Sequence, residues 1–189
     1  GAAMRSVWAA WVALALAGAF PAAAQINVDI FTRTPLAEAA AKGDDVYVRQ
    51  LLAAGMTPNS VDIENRPAIV LAATANSPRV VKLLVDAKVR VDARDKFGNT
   101  ALLIAAERGY FEVVAALLPG KPNINQENRG GETPLILAAK RGDAAVIDLL
   151  IGAGADLNRT DYTGRTALAW ADYQSKRFVS DRLRKAGAK

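Results

Sequence analysis

The chain has 189 residues, of which 51% are hydrophobic but only 6% aromatic, and a formal net charge of +5. It contains no histidine and no cysteine, which excludes imidazole and thiolate metal ligands, cysteine nucleophiles, disulfides and serine–histidine–aspartate relays. Chemistry that uses paired carboxylates, lysine, tyrosine or oxygen-ligated metals stays open.

The N-terminal segment has the pattern of a secretory signal peptide. Arg5 precedes an uncharged, largely apolar run that closes on three consecutive alanines, the last of them Ala24. A positive n-region, a short apolar h-region and an Ala-x-Ala site are the three parts of such a signal. We therefore predict a signal peptide over 4–24 and interpret 1–3 as a remnant of cloning. The alternatives are a buried N-terminal helix and an uncleaved anchor, for which the apolar run is short.

The predicted leader sets the expected compartment. Cleavage after Ala24 would leave Gln25 first, and because no cysteine follows the leader, lipid attachment of the bacterial lipoprotein kind is excluded. A chain without cysteine is also suited to an oxidising space. We predict a periplasmic protein over 25–189 without stable membrane insertion. A membrane-tethered module that keeps its leader is the alternative.

From about residue 29 onward, the sequence repeats itself at a step of 33 residues. Three sets of positions keep this step: Thr34, Pro67, Thr100, Thr133 and Thr166; Asp29, Asp62, Asp95, Asn128 and Asp161; and Asn59, Asp92, Asn125 and Asn158. Self-similarity at a fixed period of this length indicates stacked supersecondary units. The predicted units are about 29–61, 62–94, 95–127, 128–160 and 161–189.

The third unit shows the predicted structure most clearly. A turn leads to Thr100, which is a good helix N-cap residue. The following helix is predicted over 101–108 and ends at Gly109, because glycine adopts the left-handed conformation common at helix ends. A second helix carries Val113 and Leu117 on one apolar stripe. Each unit is thus a turn followed by two short helices.

This pattern resembles the ankyrin repeat, whose period and Thr-Pro-Leu-His-x-Ala signature it shares in part. Thr34-Pro35-Leu36 and Thr133-Pro134-Leu135 are intact. The resemblance implies an all-α ankyrin-repeat solenoid of five 33-residue units. The signature histidine is absent from every unit, so we expect apolar packing in its place. The second unit departs most, since Asn76 and Lys88 stand where glycine is expected.

No motif indicates catalysis. The adjacent acids Asp44 and Asp45 fit the first turn of a helix, where negative charge is favourable. The aspartates and asparagine that recur at the turn starts are interpreted as side chains that cap their own turns. Glycine-rich phosphate loops and EF-hand patterns are missing from the sequence. We predict a protein that is not an enzyme and needs no cofactor or metal; a carboxylate-based hydrolase is the alternative.

The resemblance also implies a binding face, which we call the concave face: the turn tips together with the exposed side of each first helix. Basic and aromatic residues concentrate there from the third unit onward. The candidate partner-binding residues are Lys96, Phe97, Arg108, Arg129, Lys140, Arg141, Tyr162, Arg165 and Tyr173. Arginine and aromatic side chains are frequent interface anchors, although scattered exposed residues of these types are also normal on any surface. Phe111 and Trp170 are predicted to pack in the core instead.

These features predict a non-catalytic interaction module that is a monomer when free and binds one protein partner through the concave face. An acidic protein partner, or loose contact with anionic envelope lipid, fits the net positive charge. Nucleic acid fits poorly, because the charge is modest and basic residues alternate with acids. The alternative within the same class is an immunity or inhibitor protein that neutralises an envelope-targeting toxin or enzyme.

Overall fold

The computed structural model describes residues Thr34–Lys189. The predicted signal peptide at 4–24, the remnant at 1–3 and the first turn, with Asp29, lie outside the described residues. Within Thr34–Lys189 there are ten α-helices in five pairs and no β-strand. They are α1 (Pro35–Lys42), α2 (Asp45–Ala53), α3 (Ala68–Thr74), α4 (Pro78–Asp86), α5 (Ala101–Arg108), α6 (Phe111–Leu117), α7 (Pro134–Arg141), α8 (Ala144–Gly152), α9 (Ala167–Tyr173) and α10 (Arg177–Lys185).

The helices form two layers. The first helices of successive pairs pack against one another, α1 on α3 and onward to α9, and the second helices do the same from α2 to α10. Each first helix also packs against the second helix of its own pair. This all-α arrangement of stacked turn-helix-helix units is the one that the period predicts. No helix between Thr34 and Lys189 is long and apolar enough to cross a membrane.

The helix boundaries follow from local capping. The hydroxyl of Thr100 accepts a hydrogen bond from the backbone N–H of Leu103 at 3.3 Å, and Thr133 and Thr166 cap α7 and α9 in the same way. Gly109 ends α5 with a φ of 70°, in the left-handed region that favours glycine. The predicted helix over 101–108 is therefore confirmed. Asp44 is likewise the N-cap of α2 and Asp45 lies in its first turn.

Small side chains let the first helices approach closely. The paired alanines at the middle of α1, α3, α5 and α7 are all buried: Ala39, Ala40, Ala72, Ala73, Ala105, Ala106, Ala138 and Ala139. Apolar residues fill the positions of the signature histidine, and all but the last are buried: Ala37, Val70, Leu103, Ile136 and the partly exposed Ala169. Apolar packing thus replaces the histidine, as expected.

The loops between pairs are joined by side chains that the period already marks. We call these Asn59, Asp92, Asn125 and Asn158 the loop ladder. Each accepts a hydrogen bond from a backbone N–H 31 residues further on, at 2.8 to 3.0 Å. The donors are Arg90, Asn123, Asp156 and Lys189. The recurring amide or acid is therefore a link between neighbouring units.

Two departures from regularity have local causes. Asn76 and Lys88 have φ values of 51° and 62°, so the second pair places ordinary side chains in a conformation that glycine adopts at lower cost. The prediction that Phe111 packs in the core is wrong, since 39% of its surface is exposed. Phe111 is the first residue of α6, and the buried stripe of that helix begins two residues later, at Val113.

Candidate functional site

The turn tips are held rigid by the acid or amide that opens each turn. The Oδ1 atom of Asp95 accepts the backbone N–H groups of Phe97 and Asn99 at 2.8 and 2.9 Å. Asp62, Asn128 and Asp161 make the same two contacts in their own turns. The interpretation of these residues as turn caps is confirmed. Because these hydrogen bonds fix the backbone of each turn, the one or two residues after the capping residue project from the tip.

We call the projecting side chains Ile63, Lys96, Phe97, Arg129 and Tyr162 the tip row. The three apolar or aromatic members are 88%, 56% and 75% exposed, for Ile63, Phe97 and Tyr162 respectively. Ile63 was not among the predicted site residues, because an isoleucine is usually expected in a core. The available signal was its register, since it occupies the same position as Lys96, Arg129 and Tyr162 in the other turns.

Contacts between neighbouring turns order the tip row. Lys96 pairs with Glu64 of the preceding turn at 2.9 Å and lies 5.4 Å from the centre of the Phe97 ring. The guanidinium of Arg129 donates to the carbonyl of Lys96 at 2.6 Å. The hydrogen bond from Lys96, with Arg66 nearby, lowers the pKa of the Glu64 carboxyl.

In the last turn, the tip residue Tyr162 packs against a glycine of the preceding turn. The backbone N–H of Tyr162 donates to the carbonyl of Gly130 at 3.1 Å. Gly131 has a φ of 74°, and a Cβ added there would collide with the ring of Tyr162. The ring therefore lies directly against the backbone of the preceding turn, which fixes its direction while most of its surface stays exposed.

A second group lies on the first-helix side of the last two pairs. We call Lys140, Arg165, Trp170 and Tyr173 the aromatic–cation cluster. The indole ring of Trp170 has the Lys140 ammonium 4.5 Å and the Arg165 guanidinium 4.7 Å from its centre. The guanidinium is also 4.9 Å from the centre of the Tyr173 ring, and the two rings meet edge to face at 5.8 Å. Each contact is of the cation–π or aromatic-pair type.

Trp170 packs against the core, as predicted, but it is only partly buried. It occupies the position of Leu71, Ile104 and Leu137, which are 5% to 8% exposed. An indole is larger than these aliphatic side chains, so the same backbone position leaves part of the ring at the surface. The sequence therefore missed the residue around which three predicted site residues gather.

A buried carboxylate fixes the orientation of the indole. Trp170 Nε1 donates to Oδ2 of Asp161 at 2.6 Å, and Asp161 is only 5% exposed. Burial by itself would raise the pKa of this carboxyl, but hydrogen bonds from Thr163, Trp170 and the backbone of Arg165 outweigh it and lower the pKa to about 2. Asp161 is thus ionised near neutral pH and committed to contacts within its own pair.

The remaining predicted residues, Arg108 and Arg141, lie in the last turns of α5 and α7. Arg108 donates to the carbonyl of Thr74 at 3.1 Å, and Arg141 lies against Gly109 of the preceding pair. Cations are favourable at helix C-termini, so both have a structural role there. Arg141 also lies close to Lys176, whose pKa is lowered by burial and then by the charge of Arg141.

No group of three or more acidic side chains in Thr34–Lys189 is placed to hold a metal ion. A cavity of about 540 Å³ lies beside α8, and its lining is apolar apart from Lys121 and Asp148. The arrangement of exposed aromatic and cationic side chains on the tips and first helices is suited to binding.

Comparisons with known proteins agree with the repeat pattern. A family model described as ankyrin repeats matches the chain in three copies, over residues 36–128, 69–161 and 102–183. The copies overlap, and their starting residues are 33 apart, which is the step seen in the sequence. Together they span most of the chain. A search of the curated proteins found no match.

Proposed function

Because the chain belongs to the ankyrin-repeat family, whose members generally act as non-catalytic protein–protein interaction modules, we propose that it binds a protein partner through its concave face. We count one repeat for each helix pair and hence five repeats. The chain is proposed to be a monomer when free and to need no cofactor.

The observation that carries this proposal is the set of exposed aromatic and cationic side chains on the turn tips and first helices. Aromatic residues make up only 6% of the chain, yet Phe97, Tyr162 and Tyr173 are at least half exposed on the turn tips and first helices. The turn tips and first helices also carry the arginines Arg108, Arg129, Arg141 and Arg165. These residue types supply large contact areas and strong hydrogen bonds at the centre of interfaces.

We further propose that the protein acts in the periplasm. The support for this is the signal-peptide pattern of 4–24 and the absence of cysteine from the sequence. N-terminal sequencing of protein isolated from the envelope, expressed without any fusion, tests it. Gln25 is the expected first residue, and a leader still attached to the envelope form would favour the membrane-tethered alternative.

Site-specific photo-cross-linking tests the binding face. A photoreactive residue is placed at Phe97 or at Tyr162 in the full chain, and, as a matched control, at Phe178, which is 66% exposed on the second-helix layer. We expect adducts with one protein from positions 97 and 162, and none from 178. Equal labelling from all three positions would contradict the proposed face.

A combined variant gives an independent test of the same face. Phe97, Arg108, Arg141 and Tyr162 are changed to alanine together, and the cross-linked partner is measured for stoichiometric binding. Binding that survives this change would show that the predicted residues are not the interface. If the captured partner is an envelope toxin or enzyme whose activity falls on binding, the inhibitor alternative is the correct form of the proposal.

A further inference from the structure

In the aromatic–cation cluster, Arg165 has no carboxylate partner within its own helix pair. In the fourth pair, Glu132 and Lys140 form an ion pair at 2.5 Å. Thirty-three residues further on, the equivalent positions hold Arg165 and Tyr173, and the contact between them is a cation over a ring, 4.9 Å from its centre. The fourth pair therefore has an acid and a base that neutralise each other at these positions, whereas the fifth pair has a positive charge beside a neutral ring.

Asp161, the acid that opens the same turn, does not neutralise the charge of Arg165. In the second pair, Oδ2 of Asp62 accepts from Nε of Arg66 at 2.7 Å. In the fifth pair the equivalent oxygen of Asp161 is taken by the indole N–H of Trp170. Trp170 therefore displaces Arg165 from the carboxylate that an arginine at this position uses elsewhere in the chain. Within Thr34–Lys189, the Arg165 guanidinium makes no ion pair.

Two aromatic rings hold this guanidinium in place. Arg165 lies against the rings of Trp170 and Tyr173, which are perpendicular to each other, and its side chain donates no hydrogen bond to another group within Thr34–Lys189. The N–H groups at its edge stay free to bind a carboxylate through two parallel hydrogen bonds. Lys140 lies over the same indole ring, but its charge is paired with Glu132. Tyr173, 70% exposed, adds an aromatic surface beside Arg165.

We infer that Arg165 is the receptor for a carboxylate side chain in an acidic segment of the protein partner, with Tyr173 completing the binding site. The inference rests on the proposed function for its choice of a protein partner, and it names the chemistry of that partner. Charge complementarity carries it: the cluster presents an ordered, unpaired guanidinium, and glutamate or aspartate is the protein group that matches its geometry.

Tryptophan fluorescence provides a direct assay. The chain has three tryptophans, and changing Trp8 and Trp11 to phenylalanine in the full chain leaves Trp170 as the single reporter. The probe is a deca-glutamate peptide, with deca-glutamine as the uncharged control. We expect a saturable change in Trp170 emission with deca-glutamate alone, weakened at high salt because the contact is electrostatic.

Two arginine variants decide the assignment. Arg165→Gln is expected to weaken deca-glutamate binding by roughly tenfold or more, which is the usual size of a charged hydrogen-bonded contact. Arg177→Gln removes the same charge from the exposed start of α10 and should leave the affinity within about twofold. Equal affinities for the two variants would overturn the inference. Thermal unfolding by circular dichroism checks that both variants stay folded.

The competing sources of an anion are tested in the same assay. A ten-nucleotide oligothymidylate and inorganic phosphate are titrated in place of the peptide. If either one binds through Arg165 more tightly than deca-glutamate, the carboxylate assignment is wrong. Cross-links at 97 and 162 that persist while Arg165→Gln and Arg177→Gln bind alike would leave the proposed function standing without this site. If positions 97 and 162 give no cross-links but Arg165→Gln still weakens deca-glutamate binding more than Arg177→Gln does, the carboxylate site stands and the proposed binding face is wrong.

Discussion

The hydroxyl of Ser180 lies in the core of the last repeat. Only 1% of this residue is exposed, and its Oγ atom has no hydrogen-bond partner among the described residues. The equivalent positions in the other second helices are Val48, Val81, Val114 and Ile147, all fully buried. A polar group buried without a partner destabilises the folded state.

Ser180→Val is therefore expected to stabilise the protein, by about 1 kcal/mol, because it removes the unsatisfied hydroxyl and adds buried apolar surface. Urea unfolding of the two proteins measures the difference. Ser180→Ala removes the hydroxyl without filling the space, so its stability should fall between those of the wild type and the valine variant. A valine variant less stable than the wild type would mean that this end of the core has no room for a methyl group.

Asp161 makes stability depend on pH. Its pKa is about 2 in the folded state, against an ordinary value of 3.8, so the folded state favours the ionised form. The stabilisation is fully present above about pH 5 and is lost as the pH falls from roughly 4 through 2. At neutral pH it amounts to roughly 2 kcal/mol, from the size of the shift.

Asp161→Asn is expected to destabilise the protein at pH 7 and to flatten its loss of stability in acid. Asparagine keeps an oxygen for the turn, as Asn128 does in the fourth repeat, but it turns a neutral amide towards the indole N–H of Trp170. Unfolding free energies at pH 7 and pH 3 check this. If the difference between variant and wild type were the same at both pH values, the carboxylate would not be the titrating group.

At the scale of the helix pair, the loop ladder joins each unit to the next. Asn125→Ala removes the acceptor for the backbone N–H of Asp156. We expect a loss of about 1 kcal/mol in the unfolding free energy, the usual value for one hydrogen bond. Asn158→Ala is the matched control, because Asn158 binds only the terminal residue Lys189 and its loss should change stability little. Equal losses in the two variants would contradict a role in coupling neighbouring repeats.

Local features of these pairs could be predicted from the sequence, and features that depend on neighbours could not. The helix at Ala101–Arg108 was predictable because Thr100 and Gly109 mark its ends within one short segment. The bonds of the loop ladder were not, since each joins residues 31 apart whose approach depends on stacking. The partial exposure of Trp170 could not be predicted for a similar reason. Its register indicates burial, but the size of the ring and its bond to Asp161 decide what remains exposed.

At the scale of the whole molecule, the main contacts between the helices of Thr34–Lys189 lie within a pair or between neighbouring pairs. Stability is therefore expected to behave as a sum of repeat and interface contributions. The second helix pair is expected to be the weak point, because Asn65, Asn76 and Lys88 hold left-handed conformations there, whereas the third and fifth pairs each have one such residue, Lys121 and Ser175. Further destabilisation of this repeat should separate the first repeat from the last three rather than unfold the chain as a unit. Trp170, in the fifth repeat, reports on the far side of that break.

Leu84→Ala and Leu183→Ala compare the same core position in the second and fifth helix pairs, where both leucines are fully buried. Each change should cost about 2–5 kcal/mol locally. With Trp8 and Trp11 replaced, Leu84→Ala is expected to separate urea unfolding into two transitions. The helical circular dichroism signal should then begin to fall at a lower urea concentration than the one at which Trp170 fluorescence changes. Leu183→Ala should instead shift the Trp170 transition to lower urea, ahead of the main loss of helix. If fluorescence and circular dichroism coincide in both variants, the five helix pairs unfold as one cooperative unit and the second repeat is not a boundary.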